Sequence, residues 1–115
     1  MSDNAVREKS KKFAIRIVRL YQYLVEKKRE TVMSKQLLRS GTSIGANVRE
    51  ALQGQSRKDF TAKMSISLKE ATETEYWLEL LYETGYLTED EYSSINADCD
   101  EVIKLLVSIV KSTRS

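Results

Sequence analysis

A stripe of bases with one aromatic ring on the first predicted helix has the chemistry to bind nucleic acid. At about 100° per residue, its members fall within roughly 80° of one another, beside the apolar face of that helix. They are Lys9, Lys12, Arg16, Arg19, Tyr23 and Lys27, here called the basic stripe. Arginine can hold a phosphate through two hydrogen bonds, and a tyrosine ring can stack on an unpaired base. The alternatives are a solvated charged face and a face that pairs with acids of an adjacent subunit.

Groups that carry enzymatic chemistry are scarce. The chain has no histidine, which removes the commonest general base and the commonest metal ligand. The single cysteine, Cys99, lies on the predicted inner face of the fourth helix, where a buried structural thiol is expected. The segment GTSIGANV lacks the Gly-Lys-Ser/Thr ending and the preceding strand of a phosphate loop. The sequence therefore predicts a non-enzymatic protein with no catalytic residue, metal site or cofactor.

A polar line follows the second predicted helix, within RSGTSIGANVREA at residues 39–51. Arg39, Ser43, Asn47 and Glu50 advance by four, four and three positions, which places them beside the apolar face. This line is either a recognition stripe for RNA or protein, or a polar seam that fixes how the helices pack. We favour the second, because polar groups at the edge of a core usually specify packing.

Two glycines interrupt the same helix. Gly41 and Gly45 should each cost about 1 kcal/mol relative to alanine. They share a face with Ile44 and Val48, so the pattern predicts that a neighbouring helix approaches closely there.

Charge is divided unevenly along the chain. Residues 1–58 hold fourteen bases and five acids, a charge of +9, while the remainder holds five bases and twelve acids, a charge of −7. This asymmetry indicates either an anionic partner for the first half or basic helices lying against acidic ones. The N-terminus lacks an apolar secretory segment and the lone cysteine allows no internal disulfide, so we expect a cytoplasmic protein that does not enter a membrane.

Helical periodicity predicts four segments over residues 4–29, 34–53, 57–84 and 88–113. Their short connections make neighbouring helices antiparallel, so the predicted fold is all-α, a single up-down four-helix bundle spanning residues 1–115. The apolar arc of the first helix covers roughly 160°, more than one core contact needs. Ile15 points outside even that arc. A homo-oligomer would use the surplus surface.

The segment QLLRSGTSIGANVREA resembles a signature of small bacterial four-helix-bundle proteins whose founding members are encoded in intervening sequences of 23S rRNA genes. The positions that match are Gln36, Leu37, Arg39, Ser43, Ile44, Asn47 and Glu50. Val48 and Ala51 depart conservatively. A second stretch, SLKEATETEYWL, is similar to the family at Ser67, Leu68 and Glu70.

This resemblance implies an antiparallel bundle that assembles into a ring, often of five subunits, with no assigned enzymatic activity. A more distant relative is the accessory protein of diversity-generating retroelements, which works with a reverse transcriptase and nucleic acid. The match at Glu70 predicts that Arg39 pairs with this acid of the third helix, so Glu70 joins Arg39, Ser43, Asn47 and Glu50 in the polar seam. We also expect Asn47 to bond a neighbouring backbone or side chain.

Two functions remain open. The first is an oligomeric nucleic-acid-binding or ribonucleoprotein accessory protein that acts on structured RNA, with DNA as the other candidate ligand. The second is a protein-interaction scaffold that docks a partner enzyme such as a reverse transcriptase and has no nucleic-acid role.

Overall fold

Four amphipathic segments become four helices in the computed structural model, which describes the backbone of residues 2–114 and the side chains of residues 4–114. The helices are α1 (Ser2–Glu26), α2 (Met33–Leu52), α3 (Arg57–Glu83) and α4 (Glu89–Arg114). Each packs against its neighbours in the chain, and α1 also packs against α4, which closes the antiparallel bundle. The predicted fold class is confirmed. Within the described residues, no helix is both long and apolar enough to cross a membrane.

The core lies along the bundle axis, where the helical spacing of each segment brings its apolar side chains together. Phe13 and Ile17 of α1, Leu37 of α2, Leu78 of α3 and Leu106 of α4 are each at most 1% exposed. The surplus on α1 is also present: Ile15 and Val18 remain 46% and 37% exposed on its outer side. A single bundle therefore leaves uncovered Val18 of the apolar arc of α1 and Ile15, which lies outside that arc.

The first helix ends at Glu26, three residues before the predicted limit. Arg29 has a left-handed backbone with φ of 56°, and the amide of Glu30 donates to the Leu24 carbonyl at 2.9 Å. The Glu30 carboxylate then turns to the start of α2 and accepts hydrogen bonds from the amides of Met33 and Ser34 at 3.0 and 2.7 Å. This buried cap reverses the chain, and its role was not predicted because helical periodicity carries no information about turns.

The other turns follow their sequence signals more closely. The Ser56 hydroxyl caps α3 by accepting from the Asp59 amide at 3.0 Å. Thr88 and Glu91 exchange the two hydrogen bonds of a capping box at the start of α4. Gly85 follows α3 with φ of 89°. A glycine just after a helix predicts a left-handed cap, but Gly54 after α2 does not have a positive φ, and a Cβ there would lie 2.9 Å from the Ala51 carbonyl oxygen.

Candidate nucleic-acid interface

The basic stripe lies on the side of α1 that faces α4, and two of its five bases are already engaged there. The Arg16 guanidinium donates to Asp98 Oδ2 at 2.7 Å and to the carbonyl and hydroxyl oxygens of Ser94 at 3.2 and 3.1 Å. Lys9 Nζ lies 3.0 Å from Glu101 Oε2. At these two positions acids of α4 lie beside the bases within the same chain, while the Lys9 and Arg16 side chains remain 43% and 40% exposed.

The remaining members of the stripe are less constrained. Lys12, Arg19 and Lys27 are exposed, and within the described residues none of them forms a salt bridge. Tyr23 is half-buried and packs on the core, while Lys28 Nζ lies 6.0 Å from the centre of its ring. Tyr23 thus offers only part of its surface to a ligand.

A cleft of about 510 Å³ lies beside Tyr23, between the C-terminal half of α1 and the start of α4. Its apolar floor contains Leu20, Leu87 and Ile95, and its rim carries both signs of charge. The lining residues are Arg16, Arg19, Leu20, Tyr23, Leu87, Asp90, Glu91, Ser94 and Ile95. Because Asp90 and Glu91 line the same cleft as Arg16 and Arg19, this end of the stripe is a poor site for phosphate.

A second depression, the α1–α2 groove, has a different charge. It holds about 220 Å³ between the outer surfaces of the two helices. Its lining residues are Arg7, Ser10, Lys11, Ala14, Thr42, Gly45, Ala46 and Arg49. All three charged residues of this lining are bases, and they lie outside the stripe that helical periodicity on α1 alone selected.

The predicted contact between Arg39 and Glu70 is confirmed, at 3.2 Å from Nη1 to Oε1. Glu73 Oε2 accepts from Arg39 Nη2 and also, at 2.9 Å, from the indole N–H of Trp77. The Trp77 and Arg39 bonds hold the pKa of Glu73 below its usual value, and the Glu73 bond, ahead of that from Glu70, raises the pKa of Arg39. Arg39 keeps 47% of its side chain exposed, so this cluster is an outer clasp between α2 and α3.

The rest of the polar seam is satisfied locally. Ser43 donates to the Arg39 carbonyl at 2.6 Å, and Asn47 donates to the Ser43 carbonyl at 2.8 Å, as expected for Asn47. Glu50 accepts from Lys63 Nζ across to α3 at 2.9 Å. These contacts are typical of a packing seam, since most of its polar groups bond within or between the two helices.

A buried polar network between α2 and α3 was missed. Ser67 donates to the Ile44 carbonyl at 2.8 Å, and Thr74 Oγ1 lies 2.9 Å from Ser40 Oγ. All three side chains are fully buried. The one sequence signal for this network is the presence of small hydroxyl residues on otherwise apolar helix faces, because buried hydroxyl groups need hydrogen-bond partners. Those partners lie on another helix, so the sequence of one helix does not identify them.

The chemistry expected of Cys99 agrees with its surroundings. Its thiol is fully buried, and Sγ lies 3.7 Å from the Ala71 carbonyl oxygen. Burial, aided by nearby Glu75 and Asp100, raises the pKa of Cys99 to about 12, so the thiol is protonated at neutral pH. Among the described residues, no group of three or more histidine, cysteine or acidic side chains is placed to hold a metal ion.

Comparison with known proteins gives a family and a close structure. The family described as 23S rRNA-intervening sequence protein matches residues 2–108. A similar solved structure is the crystal structure of a protein of unknown function from the S23 ribosomal protein family of Bacteroides thetaiotaomicron. Its sequence is 63% identical to that of this chain. The match covers 96% of this chain and 99% of that chain, with a TM-score of 0.95. A comparison with curated proteins finds no match.

Proposed function

Because the chain belongs to the 23S rRNA-intervening sequence protein family, we propose that it is a non-enzymatic, oligomeric accessory protein that binds structured RNA in the cytoplasm. The family name refers to an rRNA gene context and states no ligand, so the proposal depends on the surface of the molecule.

The observation that carries the proposal is the positive charge left on α1 and α2 after the internal ion pairs are formed. The acids of α4 neutralise Lys9 and Arg16, and α3 holds Arg39. Nine further bases of α1, the following turn and α2 are exposed and form no salt bridge within the described residues. They are Arg7, Lys11, Lys12, Arg19, Lys27, Lys28, Arg29, Lys35 and Arg49. A polyanion with regularly spaced phosphates complements such a surface without specific contacts to its nucleobases.

Assembly into a homo-oligomer, with five subunits suggested by the family resemblance, is part of this proposal. The exposed Ile15 and Val18 support it, since apolar side chains on an outer helix face favour burial against another protein surface. A ring would also repeat a weak RNA-binding surface and raise avidity with no new contact.

The second candidate function is a scaffold that docks a partner enzyme, such as a reverse transcriptase. The same apolar pair on α1 favours it, because the partner could be a different protein. RNA binding distinguishes the two functions, since the scaffold needs none.

The test is purification without nuclease, followed by sequencing of any nucleic acid that remains bound. Binding of a fluorescent stem-loop RNA is then measured by anisotropy across a salt series. If about four phosphates are engaged per subunit, the log–log salt slope should lie near −3 for single-stranded regions. A protein free of nucleic acid that fails to bind the stem-loop even at low salt would overturn the proposal in favour of the scaffold.

A matched variant tests whether α4 masks part of the surface. The double substitution Asp98→Asn and Glu101→Gln removes the acids that neutralise Arg16 and Lys9. We expect tighter RNA binding and a salt slope steeper by roughly 1. Glu79→Gln with Glu83→Gln removes the same charge from the exposed side of α3, where neither acid forms a salt bridge in the described chain, and serves as the control.

A further inference from the structure

We propose that the α1–α2 groove is the site that holds the phosphodiester backbone of RNA; this rests on the proposed function and identifies its contact surface. Arg7, Lys11 and Arg49 line the groove, and its lining contains no acid. The basic stripe, by contrast, has acids of α4 against Lys9 and Arg16 and across from Arg19.

The helix register brings the three bases together. Ser10 of α1 lies against Gly45 of α2, since a Cβ built on Gly45 would be 3.5 Å from the Ser10 carbonyl oxygen. Arg7 precedes Ser10 by about one turn, and Arg49 follows Gly45 by about one turn. Because the two helices are antiparallel, Arg7 and Arg49 lie at the same level on opposite sides of the groove. Lys11 adds a third positive charge one turn along α1.

Small residues form the floor between these bases. On α1 the lining positions are Arg7, Ser10, Lys11 and Ala14, and on α2 they are Thr42, Gly45, Ala46 and Arg49. Both sets advance by three, one and three positions, so each forms one ridge of its helix. Short side chains between long bases leave a depression that a chain of phosphates could follow.

The two glycines of α2 have different reasons to be small. A Cβ on Gly41 would come within 2.8 Å of Ile17 Cγ2, so helix packing forbids it. A Cβ on Gly45 would make only ordinary contacts, at 3.5 Å and beyond. Packing therefore does not demand glycine at position 45, although glycine there costs about 1 kcal/mol of helix stability. The small size of Gly45 keeps the floor of the groove open, which is a reason for glycine at this position.

The hydroxyl groups that line the groove already donate hydrogen bonds to backbone carbonyls of their own helices. Thr42 donates to the Leu38 carbonyl at 2.7 Å, and Ser10 donates to the Arg7 carbonyl at 3.2 Å. Recognition must come from the three basic side chains. They contact phosphate groups and therefore carry no information about the nucleotide sequence. The groove is thus suited to binding that depends strongly on salt and weakly on sequence.

Three triple variants that each remove three positive charges test the site. The groove variant is Arg7→Gln, Lys11→Gln, Arg49→Gln, and the stripe variant is Lys12→Gln, Arg19→Gln, Lys27→Gln. The control variant is Lys58→Gln, Lys69→Gln, Lys111→Gln, at exposed bases outside α1 and α2 that line neither surface. Binding of the fluorescent stem-loop RNA is measured for all three, after circular dichroism and light scattering show the parental fold and assembly.

We expect the groove variant to bind about tenfold more weakly than the control variant and to lose roughly 2 from the magnitude of the log–log salt slope. A groove variant that binds like the control variant would overturn the proposal. If only the stripe variant loses affinity, RNA binding stands and its site is the stripe. If the parent itself does not bind, the proposed function has failed and the groove proposal fails with it.

A neutral substitution separates shape from charge. Ala46→Leu places a larger side chain on the exposed groove floor without altering any charge, and Ala62→Leu does the same on the exposed side of α3. We expect Ala46→Leu to weaken RNA binding severalfold, with Ala62→Leu unchanged. Equal affinities for the two variants would contradict a phosphate path along the groove floor.

Discussion

Gly41 and Ile17 lie in such close contact that the crossing of α1 over α2 has no room for a Cβ. A Cβ built on Gly41 would lie 2.8 Å from Ile17 Cγ2 and 3.2 Å from Ile17 Cβ. Ile17 is fully buried and branched at Cβ, so it cannot turn aside.

We predict opposite effects for the two alanine substitutions in α2. Gly41→Ala should destabilise the protein by roughly 1 kcal/mol, since overpacking costs about 1–3 kcal/mol and the gain in helix propensity recovers about 1. Gly45→Ala should stabilise it by about 0.5–1 kcal/mol, because the added methyl meets only ordinary contacts. Thermal and denaturant unfolding measure both. Equal changes in the free energy of unfolding, in the same direction, would show that the crossing of α1 and α2 has room for a Cβ at Gly41.

A second prediction concerns the clasp of Arg39 with Glu70 and Glu73. Glu70→Gln alone should cost less than about 1 kcal/mol, because Arg39 is half exposed and retains Glu73. Glu73→Gln should cost more, since Glu73 also accepts from the Trp77 indole. Denaturant unfolding of the two single variants and the double variant checks the order. A larger loss for Glu70→Gln would reverse the roles assigned to the two acids.

The third prediction is a pH dependence at Glu30. Burial acts to raise the pKa of Glu30, but the hydrogen bonds from the amides of residues 32–34 outweigh it and leave the pKa lowered from 4.5. A carboxyl whose folded pKa is depressed contributes stability that is present above its unfolded pKa and is lost as pH falls through the folded value. Glu30→Gln should therefore lower stability by about 0.5–2 kcal/mol at neutral pH, and the difference from the parent should shrink below about pH 4.5.

Glu26→Gln provides the control for Glu30. Glu26 is exposed at the end of α1 and forms no salt bridge in the described part of the chain. Its replacement should shift the unfolding midpoint little across the same pH range. A pH-independent difference at Glu30 would mean that the charge of the cap contributes nothing.

The fourth prediction concerns assembly through the outer face of α1. Ile15→Gln with Val18→Gln should convert the oligomer into monomers, as read by light scattering at micromolar concentration. Val32→Gln with Ile66→Gln removes two exposed apolar side chains elsewhere, and we expect assembly to persist. A monomeric parent protein would contradict assembly altogether, and dissociation by the control pair alone would place the interface on another face.

The sequence by itself determined the helices and most of their ends. The three- and four-residue spacing of apolar positions selected the inner face of each helix, and Thr88 with Glu91 marked the start of α4, because these signals act within a few residues. The close approach at Gly41 was also predictable, since a glycine on an apolar helix face loses stability unless a neighbour packs there.

Only the tertiary structure decided which bases remain available to a ligand. A helical wheel places Lys9 and Arg16 in a basic stripe, but it cannot show that Glu101 and Asp98 lie beside them, more than 80 residues away in sequence. The α1–α2 groove likewise depends on the register between two helices. The hydrophobic periodicity of one helix does not determine that register. Pairing energies depend on distance between side chains in space, so the free charge of this protein is fixed by how the four helices pack.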